Sequence, residues 1–297
     1  MTLEVVALKF AVIGGDARAG WLAALLAGEG HSVRCYALEK AALPQRVSPC
    51  GSVEACVYGA DWVILGVPAE KNGALTTPLS IQRIQTEDLL TALWPGQTLC
   101  GGKLSQGTSL AAVRAGLVVC DLMQRRDFTV GNAALTAEGA VGLLIRESPR
   151  SLWRGRALVT GWGRIASMLA PRLRALGCET WVAARKAGDR AEAEGLGLRA
   201  CPFGQIATLA GEMDFLINTV PAQVLDRAVL EHIRPDAVLL ELASQPGFDK
   251  TLAGELGLRA VSAPGLPGRS APCAAAGLMR DTIYAVMRER EEKDGNE

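Results

Sequence analysis

Six residues carry the sharpest chemical signal in this 297-residue chain: Gly161-Trp162-Gly163-Arg164-Ile165-Ala166. They follow the short apolar run Ala157-Leu158-Val159-Thr160 and open an Ala- and Leu-rich stretch with helical periodicity. Gly-x-Gly-x-x-Ala between a strand and a helix is the fingerprint of a dinucleotide site. Gly161 permits the tight turn, Gly163 lets a diphosphate approach bare backbone, and Ala166 lets helix and strand pack closely. Trp162, Arg164 and Ile165 complete the expected contact set. The next strand ends in Ala183-Ala184-Arg185-Lys186, where a site for NAD would carry an acid for the ribose hydroxyls. Arg185 and Lys186 suit the 2′-phosphate of NADP(H) instead, the Arg through its planar fork. The plain alternative is a solvated basic strand end.

Three turn-rich loops fall at the ends of later apolar runs: Asn218-Thr219-Val220-Pro221, Ala243-Ser244-Gln245-Pro246-Gly247 and Ala263-Pro264-Gly265-Leu266-Pro267-Gly268-Arg269. On the ligand side of an α/β sheet they would present rigid backbone to the nicotinamide end of a dinucleotide, although ending a strand explains any one of them. In the first half, Gly14-Gly15-Asp16-Ala17-Arg18 stands at the corresponding place. It lacks the second fingerprint glycine, and Asp16 would repel a phosphate. One nucleotide site, in the second half, is therefore expected. Asp16 and Arg18 either line a substrate cleft or form a turn and a surface pair. His31 and His232 each just precede a strand, away from the ligand side, and read as structural. Neither a Gly-x-Ser-x-Gly elbow nor a P-loop occurs.

These residues need a scaffold, and the hydrophobic pattern supplies one. Short apolar runs at 10–13, 33–36, 62–65, 98–100 and 117–120, then 157–160, 180–183, 215–218, 238–241 and 260–262, alternate with helical stretches such as 21–27 and 165–176. This predicts an α/β fold of two doubly wound, Rossmann-like domains with parallel sheets. The octets Asp61-Trp-Val-Ile-Leu-Gly-Val-Pro68 and Asp214-Phe-Leu-Ile-Asn-Thr-Val-Pro221 share residues at matching offsets, consistent with an internal repeat or with chance likeness between parallel strands. Expected boundaries are 1–130 for the first domain and 131–150 for a linker helix capped by Thr136, with Glu138 in its first turn. The second domain with a C-terminal helix would span 151–287, leaving a charged tail at 288–297.

Composition narrows the function classes. Lys plus Arg number 31 and Asp plus Glu 31, so there is no basic footprint for nucleic acid or an anionic membrane surface. No uninterrupted apolar run approaches the ~20 residues of a membrane span. Glu4 and Lys9 interrupt the opening residues, which do not read as a signal peptide. Eight scattered cysteines without a Cys-x-x-Cys pair, and two histidines, argue against a metal site or disulfide framework and favour a reducing cytoplasm.

At several of these motifs the chain resembles the family of dipicolinate synthase A subunits. The likeness rests on Ala11-Val-Ile-Gly-Gly-Asp-Ala-Arg18, Arg126-Asp-Phe-Thr-Val-Gly-Asn132, Thr136-Ala-Glu-Gly139 and Gly161-Trp-Gly-Arg164. It continues through Leu242-Ala-Ser244, Pro246-Gly247, Ala263-Pro-Gly-Leu-Pro-Gly268 and Ala271-Pro272. It implies an NADP-dependent oxidoreductase that converts a cyclic lysine-pathway intermediate, dihydro- or hydroxytetrahydro-dipicolinate, to pyridine-2,6-dicarboxylate. It also implies a partner, the flavoprotein-like B subunit, in the mother-cell cytoplasm of a sporulating bacterium, with homo-oligomerisation left open. Site assignments made in this light are Glu138 as acid–base group, Thr136 and Asn132 as its hydrogen-bonding neighbours, and Arg18 and Arg269 as carboxylate anchors. Asp16, Ser244 and Gly265 would lie beside the substrate. The chain departs from the family pattern at Gln245, where a basic residue is usual, at Phe248, where a second Gly is usual, and at Cys273-Ala274, where Lys-Thr is usual. Arg269 takes a place that is commonly apolar. These departures keep two other readings open: a non-catalytic NADPH-binding scaffold or sensor, and an NADP dehydrogenase for another small acid.

Overall fold

The computed structural model describes residues 7–294. The chain divides into two units, Met1–Asn132 with Ala271–Glu297, and Ala133–Ser270. The first contains β1 (Lys9–Ile13), β2 (Ser32–Tyr36), β3 (Val47–Pro49), β4 (Trp62–Ile64), β5 (Glu70–Lys71), β6 (Ala74–Leu75), β7 (Thr98–Gly101) and β8 (Val118–Asp121). Its parallel sheet runs β3-β2-β1-β4-β7-β8, while β5 and β6 form a separate antiparallel hairpin. The second contains β9 (Arg156–Thr160), β10 (Glu179–Ala183), β11 (Arg199–Cys201), β12 (Phe215–Asn218), β13 (Val238–Glu241) and β14 (Arg259–Ser262), in the parallel order β11-β10-β9-β12-β13-β14. Setting the hairpin aside, both sheets have the doubly wound order 3-2-1-4-5-6.

The two Asp-led octets occupy the same place in the two sheets and do the same work. Asp61 Oδ2 accepts the Lys9 N–H at 2.7 Å, and Asp214 Oδ2 accepts the Arg156 N–H at 2.9 Å. Each carboxylate thus satisfies the first backbone donor of the central strand beside it. Both faces of each sheet are covered by apolar side chains, which is why the strands read as continuous hydrophobic runs. Small residues bring helices close. The helix Ala17–Gly28 buries Ala19, Leu22, Ala23 and Leu26 in one cluster with Ala276, Met279 and Ile283 of the C-terminal helix Pro272–Asp294.

Four features differ from expectation. The edge strands β3 and β11, three residues each, join the sheets. They are too short for a periodicity signal, and Pro49 is tolerated only because β3 is an edge. The joining helix begins at Arg126 and runs to Glu147, so Thr136 does not cap it and Glu138 is not in its first turn. That helix has the length and apolar composition to cross a membrane, although half of the relevant window is buried in protein. The C-terminal helix belongs to the first unit rather than the second, and it continues through the expected tail as far as Asp294. Arg290 lies 5.0 Å over the Trp62 ring and donates to Thr98 Oγ1 at 2.9 Å, and Arg125 pairs with Glu289 at 2.6 Å. Residues 295–297 lie outside the described residues.

A polar relay pins this helix at its other contact. The Leu8 N–H donates to His31 Nδ1 at 3.2 Å, His31 Nε2 lies 2.8 Å from Tyr284 Oη, and Tyr284 Oη donates to Glu29. Both histidines are therefore structural in position: His232 ends the helix Arg227–His232, its Nδ1 2.6 Å from the Ala228 carbonyl. Burial lowers the His31 pKa below its ordinary value, so the folded state holds the neutral ring. The unfolded chain takes up a proton near pH 6.5 that the folded chain resists, and stability is lost as pH falls from there. Thermal unfolding followed from pH 7.5 to 5.5 is expected to show this slope, and His31→Asn to flatten it. Tyr284→Phe should cost about 1 kcal/mol at pH 7.

Candidate functional site

The first turn of the second sheet is built to leave backbone donors open. Gly161 has φ +86°, and its N–H donates to the Ala183 carbonyl at 2.7 Å, which fixes the turn to β10. A Cβ there would stand 2.8 Å from Val220 Cγ2 and 3.0 Å from Thr219 Oγ1. Gly163 is the N-cap of the 12-residue helix Arg164–Ala175, with no side chain capping the helix. A Cβ added at Gly163 would meet nothing within 4 Å. The first turn thus has no side-chain cap and has open space at Gly163, an arrangement suited to a phosphate. Arg164 is exposed and Ile165 half-buried, while Trp162 Nε1 donates to Glu192 Oε2 at 2.9 Å.

Arg185 and Lys186 follow β10 and are exposed. Lys186 occupies the N-cap of the helix Ala187–Gly195, and Asp189 lies in that helix's first turn. Arg190 joins the basic pair, its Nη1 donating to the Ala184 and Arg185 carbonyls at 2.9 Å each. The sequence did not single out Arg190; its reach back to the strand end is what brings it to this edge.

A buried polar network lies at the ends of the three central strands. Thr160 Oγ1 donates to Asn218 Oδ1 at 2.6 Å, and Oδ1 also accepts the Val220 N–H at 3.1 Å. Asn218 Nδ2 donates to the Val220 carbonyl at 2.9 Å and to Glu241 at 2.8 and 3.0 Å. Glu241 further accepts the Ala243 N–H at 2.8 Å and the Gly247 N–H at 2.7 Å. Thr219 Oγ1 donates to the Thr160 carbonyl at 2.7 Å. Asn218 stands out in sequence as part of a turn-rich loop on the ligand side; Glu241 ends the run 238–241 and is not marked as part of a site, because its partners come from three separate segments.

The corresponding turn of the first unit is filled by the protein itself. Gly15 donates its N–H to the Thr76 carbonyl at 2.7 Å, and Gly14 lies where a Cβ would be 2.8 Å from Thr77 Cγ2. Asp16, in the place of Gly163, caps the helix Ala17–Gly28. Its carboxylate accepts from Arg18 Nε and Nη2 at 2.9 and 2.8 Å, and Nη2 also donates to the Val67 carbonyl. Arg18 is only 3% exposed, which removes it from the role of carboxylate anchor expected for it. A cavity of about 1020 Å³ in this unit is lined by Glu70, Lys71, Thr86, Lys103, Ser105 and Thr108, among others. There too the helix N-terminus is occupied from within: Glu70 accepts the Ser105 N–H at 2.7 Å and the Thr108 and Thr86 hydroxyls at 2.9 and 3.0 Å.

The remaining candidates scatter. Within the helix Arg126–Glu147, Thr136 is buried and Glu138 exposed. Asn132 and Thr136, four positions apart, share one face of that helix, with Glu138 two positions beyond Thr136. Ser244 and Gly265 are exposed in the loops after β13 and β14, and Arg269 is exposed in the short helix Leu266–Ser270.

Residues 9–123 match the family model for the N-terminal domain of the dipicolinate synthase A subunit. The A subunit of dipicolinate synthase from Bacillus subtilis (strain 168) is 27% identical over 294 residues, covering 97% of this chain and 98% of that one. The chain resembles the dipicolinate synthase A subunit. The crystal structure of the Bacillus subtilis dipicolinate synthase A chain superposes with a TM-score of 0.82 at 26% identity, covering 97% of this chain and 98% of the other. A transhydrogenase from Sinorhizobium meliloti shares the fold, with a TM-score of 0.65 at 16% identity over 94% of this chain and 92% of its own. The likeness to the dipicolinate synthase A subunit thus spans both units and includes both glycine turns.

The Gly247 backbone packs directly on the network, since a Cβ there would fall 2.2 Å from Asn218 Nδ2. Gly247→Ala is expected to lower stability by about 2 kcal/mol, read as a fall in thermal midpoint. An unchanged midpoint would show that the loop moves aside freely.

Proposed function

We propose that this chain is the A subunit of a dipicolinate synthase, an oxidoreductase whose second unit binds NADP(H). With a flavoprotein-like B subunit it converts dihydro- or hydroxytetrahydro-dipicolinate to pyridine-2,6-dicarboxylate in the cytoplasm of a sporulating mother cell. One observation carries this reading. Of two turns in equivalent places, only Gly161-Trp162-Gly163 leaves its helix uncapped and its glycine open, while Asp16 fills the other.

In this reading the N–H groups of Gly163, Arg164 and Ile165 hold the diphosphate, and Trp162 shields it. Arg185 and Lys186, with Arg190 behind them, hold the 2′-phosphate. Asn218, Thr219, Val220 and Pro221 form the floor beside the nicotinamide, with the Asn218 and Thr219 side chains held by Thr160 and Glu241. The bound coenzyme supplies a hydride acceptor. From the dihydro ring, one hydride and one proton leave and the pyridine is complete; the hydroxytetrahydro form loses water as well. Glu138, exposed in the second unit, takes the proton, and Arg269, exposed after β14, faces a substrate carboxylate beside Ser244 and Gly265.

Fluorescence titration is expected to show NADPH binding at least about tenfold more tightly than NADH, with Arg185→Asp erasing the difference. Gly163→Asp, which copies the first unit's turn, should abolish binding of both. Equal affinity for the two coenzymes would overturn the NADP assignment. Purified chain with the B subunit, NADP+ and freshly prepared cyclic substrate should form a product absorbing as a pyridine dicarboxylate. Tight NADPH binding without hydride exchange in that complex would instead favour a scaffold or sensor role.

A further inference from the structure

The three central strands of the second sheet end in Thr160, Asn218 and Glu241, each no more than 2% exposed. The first sheet, with the same order and register, places Ile13, Leu65 and Gly101 at those positions. There the space is closed by apolar contact: a Cβ on Gly101 would meet Ala69 Cβ at 3.0 Å and Leu65 Cβ at 3.1 Å. The fold therefore stands without polar residues at these positions. Burying a carboxylate there is costly, and nothing in the packing of the sheet requires it.

Glu241 is also held in a particular way. Its Oε1 accepts from Asn218 Nδ2 and the Ala243 N–H, and its Oε2 from Asn218 Nδ2 and the Gly247 N–H. Every partner is a neutral donor, and no ion pair among the described residues includes it. A fixed acceptor without a countercharge thus sits at the C-terminal end of β13, on the half of the sheet beyond the switch between β9 and β12. A dinucleotide whose diphosphate lies at the turn after β9 extends its other half across these strand ends.

We propose that Glu241 is a buried charge that favours the oxidised, cationic nicotinamide over the reduced, neutral ring. The proposal rests on the reading of the second unit as an NADP(H) site. The two forms of the coenzyme share diphosphate, riboses and 2′-phosphate, and differ at the ring by one positive charge. At a separation of several ångströms and an effective dielectric of about 20, one carboxylate distinguishes them by about tenfold in affinity. The bias keeps the hydride-accepting form bound and helps release the reduced form after transfer, matching a site that oxidises its substrate.

The test is calorimetric titration of the full chain with NADP+, NADPH and 2′-phospho-ADP-ribose, which lacks the ring. Wild type should bind NADP+ about tenfold more tightly than NADPH, and 2′-phospho-ADP-ribose no more weakly than NADPH. In Glu241→Gln the ratio of the two affinities should fall to near one. In Thr160→Val, which perturbs the same network and keeps the charge, the ratio should stay at its wild-type value. If Glu241→Gln does not fold, the wild-type comparison of the three nucleotides still decides. Equal wild-type affinities for NADP+ and NADPH, or a Glu241→Gln variant that weakens both alike, would overturn the proposal while leaving the NADP(H) site standing. Failure of all three nucleotides to bind would overturn the site itself.

Discussion

An uncapped helix N-terminus is the constraint on which the rest of this structure turns. Any helix that begins at the ligand end of a parallel sheet presents unsatisfied N–H groups, and these must find an acceptor. The chain builds this situation in two equivalent sheets and resolves it in opposite ways. At the first, Asp16 supplies the acceptor from within and the buried Arg18 pairs with it. At the second, Gly163 supplies no side-chain acceptor, and no other side chain caps the helix. The same contrast extends inward to the ends of the central strands, apolar in one sheet and hydrogen-bonded in the other.

Much of this was legible in the residues. Parallel strands buried on both faces appear as short apolar runs, and the runs ending at Ile13, Thr160 and Asn218 do end there as strands or directly before the ligand-side loops. The fingerprint glycines and the lost second glycine of Gly14-Gly15-Asp16 mark a difference that the structure carries as capping, by Asp16 in one turn and by no side chain in the other, because steric and charge rules at a turn are local. The Asp61 and Asp214 octets revealed a shared place in the sheet for the same reason.

What stayed hidden depends on contacts distant in sequence or on overlapping local signals. Thr136 looks like a helix cap, but the apolar residues from Phe128 onward already favour helix, and packing extends it back to Arg126. The C-terminal helix continues from the second unit in sequence, yet Met279 and Ile283 complete the apolar surface of the first. Arg18 reads as a cleft cation or a surface partner of Asp16 until Val67, 49 residues away, is seen to receive its guanidinium. Glu241 reads as the polar end of a strand until Asn218, Ala243 and Gly247 close around it. Such pairings are properties of the folded chain.

The most direct measurement is a crystal structure of the chain grown with NADP+. The diphosphate should lie against the N–H groups of Gly163, Arg164 and Ile165, the 2′-phosphate within hydrogen-bond distance of Arg185 or Lys186, and the turn at Gly14-Gly15-Asp16 should hold no nucleotide. Density for the diphosphate at Asp16, or a nucleotide whose adenosine ribose lies away from Arg185 and Lys186, would contradict the account.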